Sequence, residues 1–152
     1  MRIAVIVTTY NRPDALAAVL AGYGAQRDAK FELIVADDGS TDDTRRVVAA
    51  FKSDAQFPVA HVWHEDRGFR AAAIRNRALA ATGAEYIVFS DGDCVPAPRF
   101  VAQHQRFAEL GWFVAGNRIL LSEDFTRRVL GAALPIHEWR FAQWLGAWLR
   151  RD

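Results

Sequence analysis

Ile3-Ala4-Val5-Ile6-Val7-Thr8-Thr9-Tyr10-Asn11-Arg12-Pro13 is the stretch from which the fold can be read. A continuous apolar run rich in β-branched residues, without polar alternation, describes a strand buried on both faces, as in a parallel sheet. The run breaks at Thr8 into a polar loop, and Pro13 suits the first turn of a helix, where its missing N–H costs nothing. Leu16, Val19, Leu20 and Tyr23 then fall at i, i+3, i+4 and i+7, one apolar stripe on a helix that stops near Gly22 or Gly24. Working outward, the same unit recurs. Leu33-Ile34-Val35-Ala36 runs into Asp37-Asp38-Gly39-Ser40, followed by a stripe of Thr44, Val47, Val48 and Phe51, with Ser40 or Thr41 expected to cap that helix through its hydroxyl. Val59 to Trp63 and a helix from about Phe69 to Ala81, ended by Gly83, form a third round. Tyr86 to Phe89 is a fourth strand, leading straight into Ser90-Asp91-Gly92-Asp93.

Strands alternating with helices at this spacing imply an α/β fold: a Rossmann-like, mainly parallel sheet with helices on both faces. Ligands of such sheets sit beyond the carboxyl ends of the strands, and here the polar clusters follow strands one, two and four. After Pro96 and Pro98, the residues Phe100, Val101, His104 and Phe107 predict a helix, and Trp112 to Ala115 a short strand. Beyond Gly116 the character changes. Phe125, Val129 and Leu130 read as helical, and after Pro135 the residues Phe141, Trp144, Leu145, Trp148 and Leu149 share one face of a last amphipathic segment. The chain thus divides into a core over residues 1–121 and a helical C-terminal segment over 122–152. The apolar face of that segment fits ordinary core, a surface for a missing half, or an interfacial helix on an anionic membrane, given Arg140, Arg150 and Arg151.

Length and composition bound the function. The 152 residues suffice for one domain, with a folded surface of roughly 7,700 Å² against about 25,000 Å² for the extended chain. Apolar residues at 51% and charged residues at 24% exclude global disorder. A net charge of +1 leaves no overall field to hold a polyanion, so no nucleic-acid partner is expected. Seventeen of the nineteen basic residues are arginine, the side chain that forks onto phosphate and carboxylate. The single cysteine, Cys94, excludes an intrachain disulfide framework and a multi-cysteine zinc site, and fits a reducing, cytoplasmic setting. The apolar N-terminal run ends at Thr8 without a small-residue cleavage site, and no apolar stretch reaches the 18 residues of a membrane span.

The strand ends carry the chemistry. Asp91 and Asp93, two apart in an extended segment, are expected to point the same way, with Gly92 leaving room for a bulky ligand. Such a carboxylate pair can share a hard divalent cation whose other positions are filled by diphosphate oxygens; the same Asp-Gly-Asp also fits a plain turn. Asp37-Asp38-Gly39-Ser40 has the same two readings, turn and cap residues or a carboxylate that accepts from a uracil imide or ribose hydroxyls. Thr8 and Tyr10 can add a hydroxyl and a ring face for a base. Arg67, Arg70, Arg75 and Arg77 cluster around the third helix, where arginine can neutralise a diphosphate. His61 and His64 could ligate metal or be ordinary polar groups, and Cys94 is expected to be a small buried residue. Gly22-Tyr23-Gly24 lacks a third glycine and follows a helix, so it is no dinucleotide fingerprint.

Four motifs in order resemble those of the family 2 glycosyltransferases: Val7-Thr8-Thr9-Tyr10-Asn11-Arg12, Val35-Ala36-Asp37-Asp38-Gly39-Ser40-Thr41-Asp42, Arg67-Gly68-Phe69 with Ala73-Ile74-Arg75-Asn76, and Phe89-Ser90-Asp91-Gly92-Asp93-Cys94-Val95-Pro96. The third and fourth look most like a subgroup of chondroitin-polymerase-like and galactosyltransferase-like enzymes. The resemblance implies the GT-A fold and donor-binding roles for Thr8, Tyr10, Arg12, Asp38, Arg70, Arg75 and Asp91. It further implies Asp93, with Asp91, as ligand of Mg²⁺ or Mn²⁺. The implied reaction moves a sugar from a nucleotide sugar, a UDP-sugar by preference, to a hydroxyl of a glycan or lipid-linked acceptor with inversion.

Displacement by a hydroxyl needs a general base, which the family places well downstream of its metal motif. Glu123 and Asp124, about thirty residues past Asp93, are the candidates, although Ser122-Glu123-Asp124 also reads as a helix start. The chain therefore reads as a donor-binding half, cut from a longer enzyme or encoded as a short frame. The other function classes are a non-catalytic nucleotide-binding or interaction module, and a nucleotidyltransferase; the latter needs a glycine-rich phosphate loop, and residues 8–13 hold no glycine.

Overall fold

Alternate residues of the first strand serve two different cores. The structure, a computed structural model, describes residues 1–27 and 30–150. Strand β1 (Ile3–Thr9) sends Ile3, Val5 and Val7 to one side. There they meet Leu16, Val19 and Leu20 of α1 (Pro13–Gly24), Val48 of α2 (Asp42–Asp54) and Val101 of α4 (Phe100–Phe107). Ile6 points the other way, against Ile34 and Ala36 of β2 (Glu32–Asp37) and Ile74 and Ala78 of α3 (Ala71–Ala80). With β3 (Val59–Trp63) and β4 (Tyr86–Asp91) the strands form one parallel sheet in the order β3-β2-β1-β4, helices on both faces. The predicted class is the observed one, and it follows from the period-two sorting of β1 side chains.

The order places the working edge. The chain steps from β1 outward to β2 and β3, then returns to the far side of β1 for β4, so the direction of winding reverses between β1 and β4. A crevice opens at the carboxyl ends of strands at such a point. The register brings the polar ends level, with Thr9 opposite Asp37, Thr8 opposite Asp91 and Asp37 opposite Trp63.

Helix α5 (Glu123–Gly131), a 3₁₀ turn (Ile136–Glu138) and α6 (Phe141–Leu149) build a third, smaller cluster of Phe125, Val129, Ile136 and Ala147, with Val95 packing on both it and the main core. No helix among the described residues is long and apolar enough to cross a membrane.

Several expectations need correction. Trp112 to Ala115 forms no strand. An extended segment becomes a strand only when its N–H and C=O groups find a ladder, and β4, at the sheet's edge, pairs with β1 alone among the described strands. Helix α3 starts at Ala71, two residues later than expected, because the Arg70 N–H is given to the Asp38 carboxylate at 2.8 Å. Neither Ser40 nor Thr41 caps α2 with its side chain; Ser40 Oγ instead accepts from the Asn11 N–H at 2.9 Å, tying the β1 and β2 loops together. The apolar face of α6 is not core: Phe141, Leu145, Trp148 and Leu149 are exposed, while Ala147 is buried and Trp144 packs beside it. Of the basic residues near α6, Arg151 lies outside the described residues.

The accessible surface is 9763 Å², about 2,000 Å² more than the size scaling expects for this mass. Leu110, Trp112, Phe113, Ile119, Leu120 and the outer face of α6 are among the exposed large apolar side chains.

Candidate functional site

Arg75 joins the two strands that flank the crevice. Ile74 and Ala78 bury α3 against the sheet, and that docking delivers the neighbouring Arg75. Its Nε donates to Thr8 Oγ1 at 2.8 Å and its Nη2 to Asp91 Oδ1 at 2.7 Å. Arg118, from the extended segment, approaches the other Asp91 oxygen at 4.0 Å. Three residues expected to bind the donor, Thr8, Arg75 and Asp91, thus form one connected unit.

Asp91 ends β4 and Asp93 lies in a turn, closed by the Cys94 N–H to the Asp91 carbonyl at 3.1 Å. The turn reading is the observed one, and within the turn carboxylate oxygens of Asp91 and Asp93 and the Cys94 sulfur lie within 4.8 Å of one another. It is the turn, not extended alternation, that makes them converge. Gly92 does not leave room for a ligand as expected. Its N–H donates to the Thr8 carbonyl at 2.7 Å, and a Cβ there would stand 2.9 Å from that oxygen. Gly92 is needed for the approach of β4 to β1. Burial first, and the neighbouring Asp93 second, push the half-buried Cys94 thiol up. A soft thiol is a poor match for a hard cation, whereas the two carboxylates are of the type that could hold one such as Mg²⁺ or Mn²⁺.

On the β2 side each of two adjacent aspartates takes one histidine. Asp37 Oδ2 lies 2.9 Å from His61 Nε2, and Asp37 Oδ1 accepts from the Ser40 N–H at 2.8 Å. Burial alone would raise the Asp37 carboxyl, but these hydrogen bonds outweigh it and hold the group below its ordinary value. Asp38 Oδ1 lies 2.6 Å from His64 Nε2, both side chains buried, and Asp38 Oδ2 accepts the Arg70 N–H. The metal reading of His61 and His64 gives way here: both rings are turned onto carboxylates, and His64 lies beyond the end of β3. Half-exposed Tyr10 donates its hydroxyl to Asp66 Oδ2 at 2.9 Å, and this bond raises the phenol. The Gly68 N–H, and then Tyr10, lower the Asp66 carboxyl. Gly39, at φ 97°, lets the β2 loop lie against Asp66, where a Cβ would come within 2.6 Å of the backbone.

The arginine cluster divides. Arg75 reaches the crevice; Arg67 pairs with Glu65 at 2.7 Å, and the Arg70 guanidinium bonds the Glu65 carbonyl, so Arg70 serves Asp38 through its backbone N–H. Arg12 pairs with Asp14 at 2.9 Å, which raises the guanidinium and lowers the Asp14 carboxyl.

A cavity of about 690 Å³ lies between the β4 end and the C-terminal helices. Arg12, Asp91, Asp93 and Arg118 line its polar end; Val95, Leu121, Val129, Ile136 and Trp139 line the rest. Among the described residues Asp91 and Asp93 are the acids on its wall. Glu123 and Asp124, the candidate bases, are instead exposed in the first turn of α5 and paired with Arg127 at 3.0 and 3.2 Å, while Ser122 Oγ caps the helix. The structure does not bring them to Asp93.

His64 was legible in the sequence only as a possible metal ligand, not as a partner of Asp38, and Asp66 and Arg118 were not legible as site residues. Their partners stand 26, 56 and 27 positions away, and only the strand register closes those distances.

The model of glycosyl transferase family 2 matches residues 4–144. The chain is 36% identical over 109 residues to hyaluronan synthase of Pasteurella multocida, covering 71% of this chain and 11% of that protein. Among solved structures, S. aureus TarS 1–349 in complex with UDP superimposes with a TM-score of 0.58 at 28% identity, over 70% of this chain and 32% of that one. Mannosyltransferase PcManGT from Pyrobaculum calidifontis, in complex with GDP-Man and Mn²⁺, gives 0.57 at 30% identity, over 64% and 29%. The chain spans about a quarter or less of the length of the curated relatives it matches at 35% identity or more. A parallel sheet with acids, threonine and tyrosine gathered on its carboxyl edge, matched over nearly its whole length, places this chain in glycosyl transferase family 2, with the GT-A fold.

Proposed function

We propose that this chain is the donor-binding part of a metal-dependent glycosyltransferase that transfers a sugar from a UDP-sugar to an acceptor hydroxyl with inversion. The observation that carries the reading is the Thr8–Arg75–Asp91 unit with Asp93 beside it, across the crevice between β1 and β4. Two structural relatives that carry UDP in one case and GDP-Man with Mn²⁺ in the other support it. Tyr10 offers a ring face to the base and Asp38 a carboxylate to its imide. Arg75 orients Asp91 toward the ribose and leaves Asp93 as the principal metal ligand. Mg²⁺ or Mn²⁺ bound there would neutralise charge on the departing diphosphate. In this scheme Arg75 holds Asp91 and the metal would hold Asp93, so a single displacement by the acceptor hydroxyl, which inverts the anomeric carbon and requires no protein nucleophile, passes the hydroxyl proton to a base other than these two acids.

Residues 1–121 form the donor core, and 122–152 begin an acceptor-side region. The apolar cavity next to Asp93 suits the glycan or lipid-linked acceptor. We place the protein in the cytoplasm, where a lone thiol such as Cys94 stays reduced, with the exposed Phe141, Leu145 and Trp148 of α6 resting on an anionic membrane face. Co-sedimentation with phosphatidylglycerol vesicles, lost on Trp148→Ser, is expected; no sedimentation would remove the membrane contact.

Calorimetric titration of UDP tests the main proposal. Binding should require Mn²⁺ and fall at least about tenfold in Asp93→Ala, the loss of one charged ligand. Absence of binding, or binding indifferent to both Mn²⁺ and Asp93, would overturn it. The placement of Glu123 and Asp124 outside the cavity favours a second reading, a nucleotide-binding module without turnover; sugar transfer by this chain would reject it.

A further inference from the structure

The buried imidazole of His64 has no part in the scheme above, yet it makes the shortest contact with a donor-site carboxylate. Its Nε2 lies 2.6 Å from Asp38 Oδ1, and both side chains are buried. The Arg70 N–H holds Oδ2 at 2.8 Å, and the Asp38 N–H extends the β1 ladder to the Thr9 carbonyl at 3.0 Å. Backbone and both carboxylate oxygens of Asp38 are thus fixed. An ionised carboxylate has about four acceptor positions, so two remain after these bonds. His64 Nδ1 is buried without a hydrogen-bond partner, so the ring's hydrogen bond is the one to Asp38, and Nε2 is the nitrogen that faces the carboxylate.

We propose that His64 is a positioning residue that holds Asp38 as a fixed acceptor, and that this pair selects donor nucleotides whose base carries a ring N–H, as uracil does, over those whose ring nitrogen is itself an acceptor, as in cytosine. A pinned carboxylate cannot rotate away from an acceptor nitrogen, so it rejects cytosine as well as accepting uracil. Loss of His64 frees Asp38 to turn, and the discrimination declines even where the diphosphate still binds. The inference rests on the donor-site reading above.

The test compares UDP with CDP, each titrated with Mn²⁺ into the full chain. Wild-type protein should bind UDP at least about tenfold more tightly, the scale of one hydrogen bond to a charged group. In His64→Ala the ratio should fall to about threefold or less, and His64→Gln, whose amide N–H reaches the same oxygen, should recover it to within about threefold of wild type. In an Asp38→Asn background, His64→Ala should change the ratio no further. The ratio is independent of how much protein is folded, because a reduced competent fraction weakens both ligands equally; partial unfolding of the Ala variant therefore leaves the result interpretable. A purely structural role would weaken UDP and CDP alike. An unchanged ratio in His64→Ala, or equal binding of UDP and CDP by wild type, would overturn this inference while leaving the donor site standing. Wild-type protein that binds no UDP would overturn the donor site itself, and this inference with it.

Discussion

Arg75 spans two strands with one guanidinium, and its value lies in the fork. Lysine offers a point charge that cannot donate in two fixed directions, so Arg75→Lys should leave either Thr8 or Asp91 unpaired. We expect UDP affinity with Mn²⁺ to drop about tenfold, while thermal stability changes by no more than about 1 kcal/mol, since the pair is half-exposed. Equal affinity for UDP in the lysine variant would show that the bridge is not part of the site. His104 carries a different signature. Burial holds its imidazole below the ordinary value of 6.5, so just below that value the unfolded chain binds more protons than the fold. Its contribution is complete above 6.5 and is lost as pH falls through the lowered value in the fold. The melting temperature should therefore decline on acidification below about pH 6.5 more steeply in wild type than in His104→Gln; parallel curves would contradict this.

Helix α3 is the element on which the site depends, and it is weakly anchored. Its sequence is mostly alanine and arginine, and Ile74 and Ala78 are its buried residues. Ile74→Ala should cost about 2–5 kcal/mol, by analogy with other buried large-to-small changes, and should weaken UDP binding as well, because Arg75 rides on the same turn. Stability loss without a change in affinity among folded molecules would detach the helix from the site. Elements buried on both sides were the legible ones: β1 reads as a strand because both faces need apolar residues. Asp37-Asp38-Gly39-Ser40 and Asp91-Gly92-Asp93 stayed ambiguous because turn-forming and ligand-binding chemistry use the same residue types, and the turn that closes on Asp91 also brings its carboxylate close to that of Asp93. The unformed strand at Trp112 shows the converse limit, since local pattern cannot supply a ladder partner. The Asp38–His64 pair, joining a loop after β2 to one after β3, is written in register rather than in spacing.

The whole molecule combines a well-packed sheet core with a smaller C-terminal cluster. Val95 bridges the two clusters, the cavity lies beside both, and the extended segment and α6 carry many of the exposed large apolar side chains. Large exposed apolar patches mark surfaces that meet a partner. The proposed donor residues Thr8, Tyr10, Asp38, Arg75 and Asp91 stand on the core and contact one another or core loops, and the extended segment reaches them through Arg118, 4.0 Å from Asp91. The central claim, that nucleotide and metal occupy the crevice between β1 and β4, is tested most directly by amide NMR of the isotope-labelled chain with UDP and a trace of Mn²⁺. Paramagnetic broadening should centre on residues 91–94 and reach the 8–12 loop. UDP alone, or with Mg²⁺, should shift Tyr10 and the residues around Asp38. Broadening centred elsewhere, or shifts that leave the β1 and β4 ends untouched, would contradict the account.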